Sequence, residues 1–158
     1  MPTYKGHVIG GVATFIVTLI TVTSILSYAK PTPRELLFGF ICCIAGSLFP
    51  DIDTKSVGQR VFYSLMAIPV TYSIIAHQWQ MLAVTSVVGL LPLLSSHRGI
   101  THTLWFVTLV PLSLTMLIIR LHPPLTNLLW VGSLYFIAGA VSHLVLDFGL
   151  VRALKKWR

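Results

Sequence analysis

Apolar positions in this chain fall into six long runs, each closed by a short polar or proline-bearing break. The runs are Ile9–Tyr28, Leu36–Phe49, Val61–Ala76, Met81–Leu94, Leu104–Ile119 and Leu128–Leu146. Segments apolar all round are helices enclosed by a core or by lipid. Crossing a bilayer takes about 20 such residues. The first and last runs meet that comfortably. The middle four fall short, which leaves re-entrant insertion or local thinning of the bilayer open for them. Pro69 and Pro111 fall inside runs and predict kinks. The pattern predicts an all-α, polytopic transmembrane bundle of about six short hydrophobic helices, some of them re-entrant. No repeat, low-complexity tract or linker divides residues 1–158, so one membrane-embedded domain is expected.

Composition supports the membrane reading. Of the 158 residues, 55% are hydrophobic and 9% charged, against about 25% charged in an ordinary soluble domain. The mean hydropathy is +0.85. Such a chain is not disordered, collagen-like or a disulfide-rich module, and it has too few charges to coat a water-soluble globule. Adjacent Cys42 and Cys43 point to different faces of a helix, which argues against a disulfide between them. The N-terminal run carries only Lys5 and His7 ahead of it and no small-residue cleavage site before Pro31, so it is expected to be a retained helix.

Eleven Lys and Arg against four acids give a formal net charge of +7. In a membrane chain that excess marks cytoplasmic loops, and no nucleic-acid partner is expected. With six spans, one side holds Lys5, Lys55, Arg60, Arg98, Arg152, Lys155, Lys156 and Arg158. The other holds Lys30, Arg34 and Arg120. The first side, with both termini, is therefore expected to be cytoplasmic, and the tail Arg152–Arg158 to act as a basic segment at the lipid headgroups.

The few polar groups within this apolar sequence segregate to that same side. Asp51, Asp53 and Asp147, with His7, His97, His102 and His143, all sit at helix ends facing the cytoplasm under this topology. A lone acid near the hydrocarbon costs about 2.5–3.5 kcal/mol unless partnered. Several carboxylates on one face would also repel one another. A divalent cation answers both problems, and imidazole with carboxylate is a fitting ligand set. Seven candidate ligands exceed the three of a single catalytic zinc, so two ions sharing a bridging carboxylate would use them better.

Each motif also has a plainer reading. Pro50-Asp51-Ile52-Asp53 can converge two carboxylates on a cation, or can be a solvated helix end with turn-forming Asp. His97-Arg98-Gly99-Ile100-Thr101-His102 holds two imidazoles five positions apart, or two interfacial histidines beside a snorkelling arginine. His143 and Asp147, at i and i+4, share a helix face. They could ligate, or hydrogen-bond between packed helices. Lys55, Arg60 and Arg98 could grip a phosphate, or simply anchor the cytoplasmic side. His77 and His122 read as interfacial polar residues beside Trp79 and a Pro-Pro turn.

The ordered set Gly6-His7, Phe49-Pro50-Asp51-Ile52-Asp53, Gly58-Gln59-Arg60, His97-Arg98-Gly99-Ile100-Thr101-His102-Thr103 and Ser142-His143-Leu144-Val145-Leu146-Asp147 resembles a family of small bacterial inner-membrane proteins. These are labelled LexA-regulated or membrane-bound metal-dependent hydrolases. The resemblance runs from residue 6 to about 149. It implies a metal-dependent hydrolase with ligands at His7, Asp51, Asp53, His97, His102, His143 and Asp147. The chain departs after Asp147, where Phe148-Gly149-Leu150 leads straight into the basic tail.

The expected function is hydrolysis of a phosphoester, lipid or otherwise membrane-associated, by water activated on one or two divalent ions, Zn2+ or Mn2+. Asp51, Asp53 or Asp147 would supply a bridging ligand or general base, and Arg98, Arg60 and Lys55 would hold the phosphate. The rival is a non-enzymatic metal-binding, ion-handling or structural membrane protein. A transporter would place its ionisable groups near the midplane, and an intramembrane metalloprotease would carry HExxH. Neither pattern is present.

Overall fold

The structure is a computed structural model that describes residues 4–25, 31–53, 56–94 and 100–149, without the side chains at 25, 53 and 91–94. Six α-helices appear in order: α1 (Tyr4–Ile20), α2 (Pro33–Leu48), α3 (Val57–Ile75), α4 (Trp79–Leu94), α5 (Leu104–Leu121) and α6 (Thr126–Phe148). Among the described residues there is no β-strand.

Local chemistry sets the helix ends. Thr32 and Glu35 form a reciprocal capping box ahead of Pro33, with the Thr32 N–H donating to Glu35 Oε2 at 2.8 Å and the Glu35 N–H to Thr32 Oγ1 at 3.3 Å. Ser56 caps α3 by accepting from the Gln59 N–H at 3.1 Å, and its hydroxyl donates to the Asp51 carbonyl at 2.8 Å. That second bond ties the start of α3 to the 3-10 turn Phe49–Asp53. α1 ends in a π-helical turn, Thr21–Ile25, where the Thr21 and Thr23 hydroxyls back-bond to the Val17 and Leu19 carbonyls. Pro69 and Pro111 lie inside unbroken helices.

Among the described residues, four segments are long and apolar enough to cross a membrane: Tyr4–Ser24, Pro33–Ile52, Leu104–Leu121 and Pro123–Phe148. The first and last match expectation. The second and fifth runs, expected to fall short, gain length from flanking residues that hydropathy alone leaves out. α3 has the length, with 19 residues, but carries Gln59, Arg60 and several hydroxyls, while α4 is apolar yet only 16 residues long. Counting the α3–α4 hairpin as two spans or none leaves the sidedness of every other helix end unchanged.

The centre of the molecule is the α2–α6 contact, made close by glycines spaced seven apart on each helix. A Cβ at Gly46 would lie 2.0 Å from the Phe136 carbonyl oxygen, and one at Gly139 would lie 2.1 Å from that of Cys43. Gly39 and Gly132 instead make room for aromatic rings, those of Tyr135 and Phe38. Lipid gives helices no hydrophobic reason to associate, so such small-residue seams, which let backbones touch, supply the packing energy. α1 seats in the notch between α2 and α6: Gly11 abuts Ser47, Gly10 abuts Leu146, and the Cys43 thiol donates to the Gly11 carbonyl at 3.3 Å. Cys42 and Cys43 are both free thiols.

Candidate metal centre

His7 sits one turn before the Gly10–Gly11 contact, so the packing of α1 carries its ring to the end of α6. There it stacks on His143, with centroids 3.8 Å apart and planes 13° from parallel. The 3-10 turn after α2 swings Asp51 over the same point, and a short 3-10 turn, Ile100–His102, brings in His102 ahead of α5. Five groups from both ends and the middle of the chain thus meet: His7, Asp51, His102, His143 and Asp147. They form two sets whose ligand atoms lie within 4.8 Å of one another, His7–His143–Asp147 and Asp51–His102–His143.

The three imidazoles are essentially buried and the Asp147 carboxyl nearly so, whereas the Asp51 side chain is 32% exposed. Second contacts orient the rings. His143 Nδ1 lies 2.7 Å from the Ser47 carbonyl, which makes Nδ1 the protonated nitrogen and turns the lone pair of Nε2 inward. His102 Nδ1 is 3.2 Å from the Thr101 hydroxyl, which leaves its Nε2 for the cluster.

Inside the ring of ligands the distances are long for hydrogen bonds. His102 Nε2 and His143 Nε2 lie 3.4 and 3.5 Å from Asp51 Oδ1. His143 Nε2 is 3.5 Å from Asp147 Oδ2, and His7 Nε2 is 3.4 Å from Asp147 Oδ1. Direct N–H···O bonds run about 2.7–3.2 Å. Two atoms each about 2.05 Å from one tetrahedral ion lie about 3.3 Å apart. His143 Nε2 and Asp147 Oδ1 are also buried with no hydrogen-bond partner, a cost that native interiors avoid. The donor set, the spacing and the orphaned atoms all fit a divalent cation.

The other expected site residues fare differently. Arg60 is exposed on the first turn of α3, next to the turn that carries Asp51. Lys55, His97 and Arg98, the Asp53 side chain and the basic tail lie outside the described residues. His77 and His122 share an open pocket with Trp79 at the opposite end of the helices, apart from the cluster. Sequence reasoning missed Ser47, whose role is a main-chain carbonyl and so leaves no mark on residue type. It also missed the paired glycines, whose seven-residue spacing was legible.

Fold and site together define a multi-pass helical membrane protein with buried His/Asp groups able to hold a metal ion. Residues 1–152 match the YdjM inner membrane protein family. The chain belongs to that family and is a multi-pass inner membrane protein. Neither the curated proteins nor the solved structures gave a significant match.

Proposed function

We propose that the chain is a metal-dependent phosphoester hydrolase with two divalent ions, Zn2+ or Mn2+, at the cytoplasmic face of the inner membrane. The observation that carries this reading is the posture of Asp147. Its Oδ1 faces His7 while its Oδ2 faces His143, as a carboxylate bridging two ions would require. His143 has one lone pair to give, since its other nitrogen is spent on Ser47. It therefore joins Asp51, His102 and Asp147 Oδ2 in one ligand set. His7 and Asp147 Oδ1 begin a second, which Asp53 and His97 complete in this proposal.

Bound ions would polarise the phosphoryl group and acidify water toward neutral pH. The protein does the rest. Burial keeps water from the three imidazoles, and Ser47 and Thr101 hold the rings of His143 and His102. Asp51, the carboxylate exposed to water, is the proposed general base. Arg60, Lys55 and Arg98 are proposed to hold the phosphate and to offset its developing charge. The excess of basic residues on that side of the sequence supports a cytoplasmic site with cytoplasmic termini. The test is turnover of a chromogenic phosphoester by purified, Mn2+- or Zn2+-loaded protein. Activity in wild type and its loss in Asp51→Asn support the reading, and metal-loaded wild type without turnover on any phosphoester contradicts it.

A further inference from the structure

A cleft of about 260 Å3 runs between the α3–α4 hairpin and the wall made by α2, α5 and α6. Its lining is almost wholly apolar, including Phe62, Met66, Val110, Leu114 and Phe136. It extends from Phe49 at the site end of α2 to Leu129 near the far end of α6. A smaller void of about 30 Å3 shares Phe49, Phe62 and Phe136 with it and reaches Ile52, the neighbour of Asp51. Phe49, in the cleft wall, opens the 3-10 turn Phe49–Asp53 that carries Asp51, so the site end of the cleft abuts that turn. One polar atom in its wall is unsatisfied: Ser133, only 6% exposed, has a hydroxyl with no hydrogen-bond partner.

We infer that this cleft receives one acyl chain of a bilayer phospholipid whose phosphoester headgroup lies at the His/Asp cluster. The inference rests on the hydrolase reading for the headgroup and on the cleft alone for the chain. Its shape decides the occupant. A transmembrane helix about 10 Å across needs far more room than 260 Å3. Water needs two to four polar partners, and this wall offers little beyond the Ser133 and Thr115 hydroxyls. At this depth in a bilayer, hydrocarbon chains are what remains. Fourteen residues of α6 separate Leu129 from His143, so the cleft reaches about 21 Å below the cluster, more than half the roughly 30 Å hydrocarbon thickness. That matches one acyl chain hanging from a headgroup at the interface.

The test uses full-length protein in bilayer discs that contain phosphatidylglycerol with a photoreactive diazirine midway along one acyl chain. Crosslinks are mapped by mass spectrometry in wild type, in Val110→Trp and in metal-free His143→Ala. The expected result is labelling of the inward Met66 and Leu114, reduced at least tenfold by Val110→Trp but retained in His143→Ala. Labelling of the outward Leu109 and Leu117, which are 54% and 43% exposed, should not change. Labels confined to outward residues, or unaltered by the tryptophan, overturn the inference. Cleft labelling in a metal-loaded chain that turns over no phosphoester keeps the chain site and overturns only the hydrolase reading.

Discussion

His7 and His143, near opposite ends of the sequence, lie face to face with their ring centroids 3.8 Å apart. Their Nε2 atoms approach the two different oxygens of Asp147, at 3.4 and 3.5 Å. His7→Phe keeps a flat ring in the stack but removes one ligand. The chain should then keep the ion held by Asp51, His102 and His143 while losing the other. Activity should fall by more than the roughly 10- to 100-fold that loss of an outer-shell partner costs. Metal stoichiometry alongside phosphoester kinetics checks both.

His143→Ala and Asp147→Ala should each strip bound metal and leave membrane insertion intact, because apolar length and not the cluster drives insertion. Elemental analysis and the yield of the membrane fraction measure the two effects separately. Unchanged metal in both variants would argue against the cluster as a metal site.

The α2–α6 seam gives a mechanical prediction. A methyl at Gly139 would sit 2.1 Å from the Cys43 carbonyl oxygen, so Gly139→Ala must push the helices apart. Overpacking of this kind costs about 1–3 kcal/mol or more. It should also lower metal content, since Asp51 and His143 sit at the ends of the two separated helices. Gly89 has nothing within 4 Å of its would-be Cβ. Gly89→Ala should therefore gain roughly 0.5–1 kcal/mol from helix propensity. Thermal unfolding in detergent distinguishes the pair.

A metal that binds only the folded chain stabilises it by about 2.7 kcal/mol when free ion is 100 times its Kd. Adding Zn2+ or Mn2+ should raise the melting temperature and a chelator should lower it. Neither should shift His143→Ala. Equal shifts in wild type and variant would place the binding elsewhere.

Much of this was legible in the residues, for stated reasons. All six apolar runs became helices, because lipid-facing helices are apolar all round and need no subtler signal. Their ends shifted where polar residues extend a helix unseen by hydropathy: Tyr4 to His7 ahead of the first apolar run, and Ser56 with Gln59 opening α3. His143 and Asp147 share a face, as i, i+4 spacing requires, and His7, Asp51 and His102 join them. The stack of His7 on His143 was not legible, because it depends on Gly10 and Gly11 seating α1 between two helices remote in sequence. Nor was the tautomer of His143, which depends on the Ser47 main chain.

The most direct measurement is the divalent metal content of the full-length chain, purified in detergent after growth with Zn2+ and Mn2+, beside His7→Phe and His143→Ala. Two ions per wild-type chain, one in His7→Phe and none in His143→Ala, since His143 belongs to both ligand groups, is the expected result. A wild-type chain that holds no more divalent metal than His143→Ala would contradict the metal centre outright.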